Sequence, residues 1–140
     1  MSAPRRLFVD TAVLVYAVGA EHPQRQPCRA LLHVAAEGST ELHATVEALQ
    51  EFLFHRLRRG SREAAVREAE KMRDLLVLHV FDIPVVDGML RVAGSCSVGG
   101  RDAVHAATAL AAGFREIVSP DRGFDLVPGL KRVEPGDATR

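Results

Sequence analysis

Leu7-Phe8-Val9 is a short apolar run of β-prone residues halted by Asp10-Thr11, and Ala12 to Val18 continue with helical potential up to Gly19. That order predicts a strand, a turn and a helix. Ala30, Leu31, Val34 and Ala35 recur at helical spacing within His22 to Ala36, with Pro23 suited to a first turn and Gly38 to a stop. Leu42-His43-Ala44 predicts a brief second strand. Thr45 then reads as the N-cap of a helix that runs to Arg59 and ends at Gly60. Ser61 caps a further helix rich in charge.

Leu75 to Ile83 is apolar and β-rich, so a third strand is expected there, ended by Pro84 and followed by a helix over Val86 to Ser95. Gly99-Gly100 breaks the chain before the alanine-rich Arg101 to Ala112, which Gly113 terminates as a C′ residue. Glu116 to Ser119 and Lys131 to Val133 read as strands four and five. Strands alternating with helices predict a three-layer α/β/α sandwich around a mostly parallel five-stranded sheet. There is no internal repeat or linker, so residues 1–134 form one domain and Pro135 to Arg140 is expected to be a frayed tail.

A chain of 140 residues with 47% hydrophobic content is long enough for one real core and too short to make two domains the natural reading. Eighteen Lys and Arg balance eighteen Asp and Glu, so net charge gives no hint of a polyanionic partner. Cys28 and Cys96 are far apart and belong to no C-x-x-C pair, which disfavours a disulfide framework or a zinc knuckle and fits buried thiols in a reducing cytosol. Arg5 and Arg6 precede the run from Leu7 to Val18, but Asp10 interrupts it and no cleavage region follows. No segment approaches the ~20 apolar residues of a membrane helix. A cytoplasmic location, with no membrane partner, is the expectation.

In open α/β sheets, ligands gather beyond the carboxyl ends of the strands, which gives weight to acids placed just after short apolar strands. Asp10 and Asp121 stand in such places. Asp102 opens the alanine-rich helix, whose small residues would let its first turn approach the same edge. Three carboxylates would repel one another there, and a divalent cation would relieve the repulsion. Oxygen-only ligation suits Mg²⁺ or Mn²⁺, and with it phosphoryl chemistry by a metal-activated water. Each acid also has a plainer role open to it. Asp102 suits a helix N-terminus, and Asp121 lies in Ser119-Pro120-Asp121-Arg122-Gly123, a natural turn. Asp10 is harder to explain away, because an acid wedged between apolar strand and apolar helix needs a compensating partner.

Four segments resemble, in order, the acidic motifs of PIN domains: Phe8-Val9-Asp10-Thr11-Ala12-Val13-Leu14-Val15-Tyr16, Thr45-Val46-Glu47-Ala48-Leu49-Gln50-Glu51-Phe52, Arg101-Asp102-Ala103-Val104-His105-Ala106-Ala107-Thr108-Ala109 and Val118-Ser119-Pro120-Asp121-Arg122-Gly123-Phe124-Asp125. The likeness is to the VapC type of toxin and covers nearly the whole chain. It implies an endoribonuclease dependent on Mg²⁺ or Mn²⁺, leaving 5′-phosphate and 3′-hydroxyl ends. It further implies a type II toxin–antitoxin role, with inhibition by a VapB-type antitoxin, and a homodimer. By position it implies metal ligation by Asp10 and Asp102 and catalytic support from Glu51 and Asp121. Thr11 and Ser119 become nearby hydrogen-bonding residues. A catalytically silent module that binds RNA or protein is the alternative reading.

The likeness also separates Glu51 from Glu47, which share a helix face about 40° apart. The apolar stripe Val46, Leu49, Leu53 and Leu57 lies nearly opposite both, so periodicity alone makes them a solvated pair. Arg56, Arg58, Arg59, Arg62, Arg67, Lys71 and Arg73 crowd the two central helices, either as a solvated face interrupted by Glu63, Glu68 and Glu70 or as a grip on RNA phosphates. The six histidines form no H-x-x-x-H pair, which disfavours zinc hydrolysis. His105, one turn beyond Asp102, reads either as a packed, hydrogen-bonded histidine or as a group near substrate.

Overall fold

The first strand, β1 (Arg5–Phe8), turns Leu7 to one face of the sheet and Phe8 to the other, and this period-two alternation divides the core in two. A computed structural model describes residues 3–140; Met1 and Ser2, which open the 1–134 domain expected from sequence, lie outside the described residues. After β1 come α1 (Thr11–Val18), α2 (Arg25–Ala36), β2 (Thr40–Thr45), α3 (Val46–Leu57), α4 (Arg62–Leu75) and β3 (Leu76–His79). The second half adds α5 (Ile83–Ser95), α6 (Gly100–Ala111), β4 (Glu116–Val118), a 3₁₀ turn (Arg122–Leu126), β5 (Lys131–Val133) and α7 (Pro135–Ala138).

β1 pairs in parallel with β2, and β2 with β3, while β4 pairs in parallel with β5. An isolated parallel bridge between Val9 and Val118 joins the two groups, so the five strands run β3-β2-β1-β4-β5. Leu7, Val9, Leu42, Ala44 and Val118 meet α1, α2, α3, α4 and α7 on one face. Phe8 and Ile117 meet α5, α6 and the 3₁₀ turn on the other. This is the expected three-layer α/β sandwich. In α6, Ala103, Ala106, Ala107 and Ala109 are all buried, and their small side chains bring the helix, with Asp102 in its first turn, close against the sheet. Gly113 ends that segment at φ +88°, the left-handed geometry expected of a C′ residue.

Several boundaries differ from the sequence expectation for local reasons. The second helix begins at Arg25 rather than His22, because His22 closes a turn instead, its carbonyl accepting the Arg25 N–H at 3.0 Å and its Nδ1 the Gln24 N–H at 3.1 Å. The third strand stops at His79, short of Ile83. Asp82 accepts the Val85 N–H and caps α5, so Pro84 stands in the first turn of a helix, where its missing N–H costs nothing.

Two expectations are corrected. Residues 135–140 are not a frayed tail: Pro135 starts α7, Ala138 is buried in the core, and Arg5 Nη1 donates to the Ala138 carbonyl at 2.6 Å. On α3, the buried positions are Ala48 and Phe52, whereas Val46 is exposed and Leu49, Leu53 and Leu57 are half-buried. Val46, Leu49 and Leu53 of that stripe line an open apolar groove with Val66 and Ala69 of α4, and Leu49 also packs against the core beneath. No helix among the described residues is long and apolar enough to cross a membrane.

Candidate active site

Asp10 stands between β1 and α1 in the N-cap position, with extended backbone angles, yet its side chain makes no capping bond. Its carboxylate is instead committed to the cleft. The residue is 4% exposed, and Oδ1 is buried with no hydrogen-bond partner. Burial pushes this carboxyl up to about 7, opposed by attraction to His105 and the Ser119 hydroxyl and reinforced by repulsion from Asp102 and Asp121. An orphaned, charge-bearing oxygen of this kind is costly unless something positive comes to it.

Asp102 reaches the same cleft from α6. Burial first, then the charge of Asp121 and a hydrogen bond with it, push its carboxyl up to about 6 against the pull of His105. Asp121 is held by its own turn, accepting the Gly123 N–H on Oδ1 at 2.8 Å and donating its backbone N–H to the Ser119 hydroxyl at 2.9 Å. Gly123 closes the space between the two acids: a Cβ there would lie 3.1 Å from Asp102 Oδ2 and 3.2 Å from Asp121 Oδ1. The turn that holds Asp121 thus also carries its carboxylate to the edge of the cleft beside Asp102.

Glu51 arrives from α3, whose start is set by Thr45 at the end of β2, its hydroxyl accepting the Glu47 N–H at 3.3 Å. Glu51 Oε1 lies 2.9 Å from His105 Nε2 and accepts the Thr11 hydroxyl at 3.2 Å. An ionised carboxylate only accepts, so Nε2 carries the ring proton and the partnerless, buried Nδ1 is the lone-pair nitrogen when the ring is neutral. Burial alone would raise the Glu51 carboxyl; His105, Thr11 and Arg101 outweigh it and bring it below its ordinary value. Arg101 Nη1 lies 3.8 Å from Oε2.

The fold thus brings Asp10, Glu51, Asp102 and Asp121 to one end of the sheet, with Thr11 and Ser119 bonded among them. Glu47 takes no part in these bonds. Periodicity could not find the Glu51 contact with His105, although the spacing of His105 from Asp102, one helical turn, hinted that it faces the same way. Arg101 and Gly123 gave no sequence signal of their own beyond lying inside the motifs.

Among the described residues, no three Asp, Glu, His or Cys side chains already stand at metal-cage spacing. The donor set nevertheless fits a hard divalent cation that keeps some of its waters: oxygen ligands only, one of them orphaned, with two carboxyls raised by burial and crowding. Asp10 and Asp102 are the residues that would hold it.

The PIN domain family model matches residues 7–130. Ribonuclease VapC7 of Mycobacterium tuberculosis is 35% identical over 135 residues, covering 94% of this chain and 93% of that protein. Ribonuclease VapC13 of the same organism is 32% identical over 133 residues, covering 91% and 98% respectively. Among solved structures, VapBC2 from Rickettsia felis bound to a promoter DNA fragment superposes with a TM-score of 0.74 at 16% identity, over 92% of this chain and 98% of that one. With the family model spanning the whole acidic constellation and two ribonucleases matched almost end to end, the chain belongs to the PIN domain family, on its VapC branch.

Proposed function

We propose that the chain is an endoribonuclease dependent on Mg²⁺ or Mn²⁺ and the toxin of a type II toxin–antitoxin pair. The observation that carries the reading is the convergence of Asp10, with its orphaned Oδ1, on Asp102, Asp121 and Glu51, in a chain 35% identical to a protein named as a ribonuclease. A cation held by Asp10 and Asp102 would neutralise phosphate charge and make an attacking water more acidic. Glu51 has one oxygen pinned by His105 and Thr11, which leaves Oε2 to take the proton from that water. Asp121 crowds Asp102 and adds negative charge for the cation to offset, and Ser119 sets the position of Asp121. Water adds to phosphorus, the P–O3′ bond breaks and O3′ leaves with a proton taken from solvent, so the ends carry 5′-phosphate and 3′-hydroxyl groups.

The partner proposed is a VapB-type antitoxin, supported by the likeness to VapBC structures and by the open apolar groove between α3 and α4. A homodimer in the cytoplasm belongs to the same reading. Mapping new RNA 5′ ends across the transcriptome after brief expression, with Asp10→Asn as control, tests the proposal. Defined new ends that vanish in the variant are expected, together with slowed growth. Binding of RNA that survives loss of both metal and Asp10, with no new ends, would favour a silent binding module instead.

A further inference from the structure

A cavity of about 360 Å³ opens directly beside Glu51 and Thr11, walled by Phe54, Arg58 and Arg59 from the end of α3 and by Arg101 from α6. Phe54 is an anomaly on this wall. Its side chain is half exposed although buried positions for aromatics exist one face away, and the Arg58 guanidinium lies over its ring, 5.5 Å from the centroid. Among the described residues, neither Arg58 nor Arg59 has a carboxylate within ion-pair distance. Arg101 touches only the edge of Glu51, with its side chain 81% exposed. Nearby Arg56, by contrast, is neutralised by Glu68 at 2.8 Å, whereas Arg58 and Arg59 face the cavity without such a partner and Arg101 is held only loosely, by Glu51 at 3.8 Å. His55, on the same wall, is held below its ordinary value first by burial and then by Arg59 and Arg56.

We propose that Phe54 and Arg58 form a nucleobase-stacking subsite that seats one unpaired RNA nucleotide beside the scissile phosphate, whose neighbouring phosphates are gripped by Arg59 and Arg101. The inference rests on the ribonuclease reading and names the residues that would seat the nucleotide. An aromatic face topped by a guanidinium accepts the π-face of any base, and unneutralised arginines complement a phosphate backbone. The volume lies at the low end of the ~300–1,000 Å³ typical of small-ligand pockets, which suits one nucleotide rather than a helix. Bases within an A-form duplex are stacked on one another and offer no free face, so the subsite selects single strands, loops or bulges. It also divides the arginines at the end of α3: Arg58 and Arg59 hold RNA, while Arg56 belongs to a structural pair with Glu68 of α4.

The experiment uses the full chain and a fluorescein-labelled, mixed-sequence single-stranded 12-mer RNA. Anisotropy is measured in EDTA at several salt concentrations, and cleavage of the same RNA is measured in Mn²⁺. Phe54→Ala should weaken binding about tenfold without changing the slope of log Kd against log salt. Phe54→Trp should restore it, and Arg58→Gln should weaken it and reduce the slope by about 0.7. Binding within twofold of wild type in both Phe54→Ala and Arg58→Gln overturns the subsite, as does an equal loss of affinity for duplex RNA. Loss of antitoxin binding alone overturns it too, in favour of a protein-docking wall. A wild-type chain that cleaves while the variants match it sinks the subsite and leaves the ribonuclease reading standing. A wild-type chain that neither binds nor cleaves sinks both.

Discussion

His105 Nε2 lies 2.9 Å from Glu51 Oε1, and the Thr11 hydroxyl reaches the same oxygen at 3.2 Å, so α6 and α1 together hold a carboxylate delivered by α3. Three helices meet at one oxygen atom. On the proposal that Glu51 is the general base, such restraint would serve it, because Oε2 would need little reorganisation when the proton arrives.

Glu51→Gln keeps the shape and removes the charge, and it should lower kcat by roughly 10²–10⁴-fold in a fluorogenic RNA assay, with little change in Tm. Glu47→Gln should be nearly silent, since Glu47 contributes its backbone N–H to the Thr45 cap and its side chain makes no bond in the cleft. The opposite ranking would place the wrong turn of α3 in the site.

Removing metal should make stability fall as pH rises. The Asp10 carboxyl titrates near 3.8 when unfolded and about 7 when folded, so between these values the native state binds the extra proton. Its contribution is complete below about pH 4 and is lost as pH climbs through about 7, on the order of 4 kcal/mol at full ionisation. Asp102, raised to about 6, works in the same direction. Thermal melts in EDTA should therefore show Tm declining across this window. Mg²⁺ should recover Tm most strongly at the alkaline end, and Asp10→Asn should flatten the decline. A Tm in EDTA that rises over the same range would contradict the burial of an unpaired carboxylate.

Much of the fold was legible because its strands are short apolar runs closed by polar residues, and Asp10, Asp102 and Asp121 could be placed beside them on that ground. Glu51 needed the motif likeness. Its helix packs on both the sheet and α4, so α3 carries two apolar faces, and the one visible as a periodic stripe faces the shallower partner. Strand β3 is shorter than its apolar run for a related reason: Val80 and Ile83 prolong the run but are 63% and 73% exposed, beyond the strand's end at His79. The grip of His105 on Glu51 joins residues 54 positions apart, which no local pattern reports.

The chain end offers a separate test of packing. Deleting residues 135–140 removes buried Ala138 and the carbonyls that accept from Arg5, and exposes part of α2. A loss of about 1–3 kcal/mol is expected in urea titrations. An unchanged midpoint would return this segment to the status of a frayed end.

Gly123 provides the sharpest steric test of the acidic cleft. Its backbone φ needs no glycine, since among the described residues positive φ is found only at Gly38, Gly113 and Gly129. What excludes a side chain is contact: a Cβ would press on Asp102 Oδ2 at 3.1 Å and Asp121 Oδ1 at 3.2 Å, both closer than ordinary packing allows. Asp121 cannot simply swing aside, because its Oδ1 accepts the Gly123 N–H itself. Gly123→Ala should therefore push Asp102 away from Asp10 while the surrounding core, which it does not touch, keeps its stability. The Mg²⁺ concentration giving half-maximal cleavage should rise by about 10–100-fold, the usual effect of disturbing residues that position metal ligands, with Tm in EDTA nearly unchanged. If the midpoint stays at the wild-type value, Asp102 does not hold the cation from the position seen here; if Tm collapses instead, the methyl has displaced the turn rather than the carboxylates.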